Sequence, residues 1–192
     1  YYYMSKKIDS IKKFVVVPLL CTLMLAGCSS IGSSSSKTAK SASSANSEIS
    51  EETADEFVDN YMQKMKNHAP AEEIISDVYT KEVINKLKEC GQWEMTKASI
   101  ESTYPYIKDV SSKRIGTLTE DQMLGAEIIF KALTGESVKI TAGYSYESTT
   151  YLEKDGQSSS IPGNICALYL KNDGWKVLNS SPEELDDAYL ES

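Results

Sequence analysis

Val138-Lys139-Ile140-Thr141-Ala142-Gly143-Tyr144-Ser145-Tyr146-Glu147 decides the fold, because here the apolar period of the chain changes from helical spacing to strict alternation. Val138, Ile140, Ala142, Tyr144 and Tyr146 point one way and Lys139, Thr141, Gly143, Ser145 and Glu147 the other, as in a strand with one buried face. The strand is expected to continue toward Leu152. Beyond it, Asp155-Gly156 is a turn signal, Ile165 to Leu170 reads as a second strand, and Asn172-Asp173-Gly174 turns the chain into a third, Trp175 to Leu178. Together these predict an antiparallel meander. Ser181-Pro182-Glu183-Glu184 supplies an N-cap, a first-turn proline and a capping-box acid, so a short acidic helix is expected to run through Leu185 to Leu190.

Upstream of the meander the spacing is helical. Thr119 and Gln122 form a capping box ahead of Met123, Leu124, Ile128, Ile129, Ala132 and Leu133, which predicts a helix over 120–133, apolar enough to be covered on most of its surface. Thr53 and Glu56 suggest another box before Phe57, Val58, Tyr61, Met62 and Met65, a helix over 54–67. Its outer acids, Glu52, Asp55, Glu56 and Asp59, read as a solvated face near a helix N-terminus rather than a cation site, since calcium sites gather oxygens from a loop. Pro70 sits where a first helical residue belongs, and Thr80 restarts the pattern before Gly91, so two short helices or one broken near Tyr79 are expected. Between Gln92 and Leu118 the spacing is irregular, and only one strand, within 104–117, is expected there.

The N-terminus carries Lys6, Lys7, Lys12 and Lys13, an apolar run of 14 residues from Phe14 to Gly27, and then Leu25-Ala26-Gly27-Cys28 across its end. A basic region, an apolar region and a small-residue cleavage site make a secretory signal, and the cysteine after the small pair resembles the lipobox of bacterial lipoproteins. The run is shorter than the roughly 20 apolar residues of a membrane-spanning helix. The resemblance implies cleavage after residue 27 and attachment of palmitate-type acyl chains at Cys28, two or more of which hold a protein firmly on a membrane. Tyr1-Tyr2-Tyr3 precede Met4 and have no place in such a signal, so Met4 is read as the start. Residues 29–49 hold ten serines among 21 residues, a composition that builds no core and reads as a flexible linker spanning roughly 25 Å. The expected organisation is therefore a signal over 1–27, a lipidated cysteine and linker over 28–49, and one α+β domain over 50–192.

Loss of residues 1–27 removes four lysines and one aspartate, which leaves 16 basic and 27 acidic residues, a net charge of about −11. With a single arginine, Arg114, and no basic run after the signal, the mature chain lacks the clustered cations that phosphate backbones require, which excludes nucleic acid as a partner. Cys90 and Cys166 are the two cysteines left to the domain. Outside the cytoplasm a disulfide is permitted and would stabilise by roughly 4 kcal/mol. Their places on apolar stripes, one helical turn after Leu87 and alternating with Leu168 and Leu170, favour two buried thiols instead.

Helices first, then one strand, another helix, and a three-stranded meander closing on Asp173-Gly174-Trp175-Lys176-Val177 resembles the nuclear-transport-factor-two-like, or cystatin-like, cone, and small bacterial lipoproteins of uncharacterised function are similar to this throughout. The resemblance covers about residues 50–180. It implies N-terminal helices packed on a curved antiparallel sheet whose concave face makes a pocket, with Tyr144 and Tyr146 facing that pocket or the core. The alternative architecture is an open α+β two-layer sandwich.

No catalytic constellation is legible. Serine nucleophiles need a base, and the only histidine, His68, lies in the turn after the first helix, with no Gly-x-Ser-x-Gly elbow in the chain. One histidine and two cysteines fall short of a zinc set without added carboxylates, so no metal and no cofactor are expected. The reading is a non-catalytic lipoprotein on the extracytoplasmic face of a cell membrane, holding a small ligand or an extended peptide against Tyr144, Tyr146 and Trp175. The alternative is an accessory protein docked to a cell-envelope complex through its helices or Tyr104-Pro105-Tyr106, and an enzyme of the cone class comes third.

Overall fold

The computed structural model describes residues 49–192. The signal, Cys28 and almost all of the serine-rich linker lie outside the described residues. Helix α1 (Glu51–Lys66) starts three residues earlier than its spacing predicts, because Ser50 rather than Thr53 is the N-cap. The Ser50 hydroxyl accepts from the Thr53 N–H at 3.2 Å, and the Thr53 hydroxyl accepts from the Ser50 N–H at 3.1 Å. Pro70 stands just before α2 (Ala71–Val78) rather than inside it. The break near Tyr79 is present, with Thr80 capping α3 (Lys81–Glu89), and the chain leaves that helix through Gly91 in the left-handed region, φ +74°.

A helix not expected from the spacing, α4 (Trp93–Glu101), follows. Its apolar residues do not share one face: Ile100 is buried while Met95 is 65% exposed, which is why no stripe is legible. A 3₁₀ turn at Tyr104–Tyr106 leads into strand β1 (Ile107–Thr117). Helix α5 (Glu120–Thr134) carries the expected Thr119/Gln122 box and ends at Gly135, φ +75°. It is less covered than its composition suggests, with Gly125, Ala126, Phe130 and Thr134 buried but Leu124 37% exposed.

Strands β2 (Ile140–Lys154), β3 (Gln157–Leu170) and β4 (Gly174–Leu178) complete an open, wholly antiparallel sheet in the order β1-β2-β3-β4. Strand β3 begins eight residues before the expected Ile165. The cause is the Asp155-Gly156 turn, both residues at positive φ (53° and 74°), which pairs Lys154 with Gln157 and then zips polar residues of both strands in register. Helix α6 (Pro182–Leu190) closes the chain on the expected Ser181/Glu184 capping box.

The α+β class is as expected, and helices pack against the sheet on both faces. Alternation along β3 sends Ile165 and Ala167 to one side, where they meet Val58, Tyr61, Ile74 and Ile100 from α1, α2 and α4. It sends Cys166, Leu168 and Leu170 to the other, against Val83 and Leu87 of α3, Phe130 of α5 and Leu185 of α6. Gly125 permits the tight α5–α6 contact, since a Cβ there would stand 1.9 Å from the Leu185 carbonyl oxygen.

Candidate binding cavity

The three aromatic residues singled out in the sequence do gather on one sheet face, but they pack against α1 rather than framing a pocket. Trp175 stacks on Phe57 at 6.4 Å, meets Tyr144 at 6.0 Å and takes the edge of Tyr169 at 5.1 Å between ring centroids. Tyr146 is 2% exposed and donates from its hydroxyl to Asp55 Oδ1 at 2.8 Å. Burial, then that bond to a carboxylate, raises the Tyr146 pKa well above the phenol range. Arg114, opposite Tyr146 in the ladder, pairs with Glu51, sits over the Tyr144 ring and places Nε 3.1 Å from Asp55 Oδ1. That last contact is ionic, since Nε makes no hydrogen bond. These residues fasten the first turns of α1 to the sheet.

Farther along the same face, where β4 has ended, lies a cavity of about 100 Å³. Tyr61, Met62 and Met65 of α1, Ile74 of α2 and Ile100 of α4 form its roof and side, with Thr103, Tyr104 and Ile107 beside them. Ser148 and Thr150 of β2, Ile165 of β3 and the exposed Asn179 form its floor and rim. Most of this wall is apolar, as ligand cavities usually are. Its polar groups are uncharged.

Two tyrosines on this wall differ in a way that matters. Tyr104 donates to the Ala69 carbonyl at 2.6 Å, while the His68 ring lies parallel to it, 4° apart in plane and 5.2 Å between centroids. Burial and the nearby Glu101, Glu72 and Glu73 push its pKa up to about 12. Tyr61 is 1% exposed, and among the described residues its hydroxyl has no hydrogen-bond partner. Burial first, and Asp77 second, drive the Tyr61 pKa far above its usual value, so it stays a protonated donor. The side chains of Ser148, Thr150 and Asn179 are likewise unpaired among the described residues. Among the described residues the buried polar side-chain atoms without a partner are Gln92 Oε1 and Arg114 Nε, so the Tyr61 hydroxyl keeps some access to solvent, and a ligand acceptor there would take the place of water.

Two other hollows lack this feature. One of about 210 Å³ lies between α5 and the ends of α2 and β4, and apart from Asn179, which it shares with the first cavity, its lining includes polar groups already bonded: Glu184 accepts from the Ser180 hydroxyl and Thr134 donates to the Phe130 carbonyl. The other, about 310 Å³ between α5 and α6, is a shallow groove beside Leu124 and Tyr189.

Cys90 and Cys166 are both free thiols. Cys166 is fully buried, donates to the Ser180 carbonyl at 3.4 Å, and has its pKa pushed up to about 12 by burial and by Glu184. That environment is the reverse of an activated nucleophile. Among the described residues no group of three His, Cys, Asp or Glu side chains is placed to hold a metal ion, and no helix is long and apolar enough to cross a membrane. The chain matches no family model, no curated protein and no solved structure.

Proposed function

We propose that this protein is a non-catalytic binding module, anchored through lipid on Cys28 to the extracytoplasmic face of a bacterial membrane and held off it by the serine-rich linker. Its site is the cavity under α1. The occupant is a small, neutral group with a hydrogen-bond acceptor for Tyr61. The unpartnered Tyr61 hydroxyl in an apolar wall is the observation that carries this reading. The cavity lining carries no cation to hold an anionic ligand. The test is native mass spectrometry of protein extracted gently from its own membranes, compared with the lipidated chain from Cys28 to Ser192. A reproducible excess mass whose occupancy falls in Tyr61→Phe supports the site, and a bare lipidated mass together with no uptake of added benzyl alcohol refutes it.

A further inference from the structure

The cavity is too small to enclose a whole metabolite. Ligand pockets commonly measure roughly 300–1,000 Å³, and a void of about 150 Å³ takes one benzene. At about 100 Å³ this cavity is sized for part of a larger partner, one side chain entering from its mouth.

Next to it runs an unpaired strand edge. Strand β4 pairs with β3 only from Cys166 to Leu170, so Gln157–Ile165 of β3 has a neighbour on the β2 side alone. A two-residue hairpin turn makes the flanking pair, Lys154 and Gln157, hydrogen-bonded, and bonding alternates from there. Odd-numbered residues of β3 therefore bond to β2, and the backbone groups of Ser158, Ser160, Pro162 and Asn164 face outward. The turn into β4 agrees, since the Asp173 N–H donates to the carbonyl of even-numbered Leu170 at 3.2 Å while the N–H of odd-numbered Lys171 donates to Lys139 on the β2 side at 3.0 Å. Pro162, which has no N–H, sits in an outward position, so it costs the β2 ladder nothing while limiting how far a new strand can pair. Asn164 is the outward donor nearest the cavity. Beside it Gly163 presents no side chain on the cavity face, and it lies opposite Ser148 of the cavity floor.

We infer that the occupant is a bulky apolar side chain of an extended peptide segment, which pairs its backbone with β3 at Asn164 and inserts that side chain over Gly163 into the cavity. This rests on the cavity reading above and deepens it. Main-chain pairing supplies affinity and the cavity supplies selection, as in other strand-addition sites. The segment carries no acidic residues. The edge from Gln157 to Ile165 has no charged side chain, and the mature chain around it has a net charge of about −11, which repels a further anion.

The experiment uses the full mature chain and blocked hexapeptides free of acidic residues, with Ala, Leu, Phe or Tyr at the central position, followed by tryptophan fluorescence and amide exchange. Benzyl alcohol serves as a probe of the cavity alone. The inference expects Phe or Tyr peptides to bind at least tenfold more tightly than the Ala peptide, and N-methylation of the pairing peptide amide to weaken binding by about tenfold or more. Asn164→Pro should abolish peptide binding and leave benzyl alcohol binding unchanged, since its N–H faces away from β2. Benzyl alcohol binding without any peptide binding overturns the inference and leaves the cavity reading standing. Binding of neither overturns both. A concentration-dependent dimer that protects Asn164 from exchange overturns the inference by giving the edge to a second copy of this chain.

Discussion

Tyr61 and Tyr104 line the same cavity and are both deeply buried, so their phenylalanine variants form a matched pair in which only the hydroxyl's partner differs. Tyr104→Phe removes a 2.6 Å bond to the Ala69 carbonyl and leaves that acceptor unpaired. A lost hydrogen bond plus an orphaned acceptor costs about 1–2 kcal/mol. Tyr61→Phe removes a hydroxyl that no described group pairs with and that is not one of the fully buried unpaired atoms, so nothing is orphaned. Its expected effect ranges from a loss under about 0.5 kcal/mol to a small gain. Urea unfolding should therefore place the Tyr104→Phe midpoint clearly below wild type and the Tyr61→Phe midpoint at or above it, with similar slopes. Ligand binding should order the other way: Tyr61→Phe loses about 0.5–1.5 kcal/mol of affinity, roughly two- to thirteenfold. Equal destabilisation by both variants would refute the claim that the Tyr61 hydroxyl is kept for a ligand.

Gly125→Ala gains roughly 1 kcal/mol of helix propensity yet drives a Cβ to 1.9 Å from the Leu185 carbonyl oxygen, so α6 must shift and thermal unfolding should show a net loss of about 1–2 kcal/mol. Gly116→Ala, whose nearest neighbour would be Ser145 Oγ at 3.8 Å, should be close to neutral. Iodoacetamide should add one alkyl group to the folded domain over residues 50–192, at half-exposed Cys90, and a second only on unfolding, because burial holds the Cys166 pKa near 12. On acidification stability should fall. Glu52, Glu72 and Glu183 are held below ordinary carboxylate values first by backbone N–H groups at helix starts, and Asp109 first by Lys66. Because their folded pKa values are depressed, this stability is complete above about pH 4.5 and drains away as pH drops through the depressed values, which a urea series from pH 6 to 3 would record.

Local signals wrote most of this fold into the chain. The capping residues Thr119 with Gln122 and Ser181 with Glu184 placed two helix starts, and the Tyr144/Tyr146 alternation placed the central strand, but a register shift between Ile140 and Ala142 sends Val138 and Ile140 to the face opposite Tyr144 and Tyr146 instead of the shared face expected. Two stretches are not legible this way. Helix α4 buries only Thr96 and Ile100, too few to make an apolar stripe, and β3 from Gln157 to Asn164 is a strand only because β2 lies beside it. The same long-range placement hides the cavity. Tyr61 occupies a position that helical spacing reads as core, and nothing local reveals that its hydroxyl has been left without a partner. Tyr144, Tyr146 and Trp175, which alternation singles out, have α1 packed across them, and α1 is 78 or more residues away in sequence.

The cavity and the open edge arise from a single mismatch in strand length. Strand β3 has 14 residues and β4 five, so more than half of β3 extends past its last partner on that side. What stops β4 is the start of α6. Ser181 caps that helix through the Glu184 N–H at 3.3 Å, Glu184 accepts in return from the Ser181 N–H at 2.9 Å, and Pro182 removes a donor that another strand residue would need. In the register of the ladder Asn179 would stand opposite Ile165, but it is the last residue before this turn and remains exposed at the rim. A few more strand residues in place of the capping box would cover both the edge and the cavity mouth with the chain's own backbone. The helix-start signal at 181–184 therefore leaves the slot in which the proposed peptide lies.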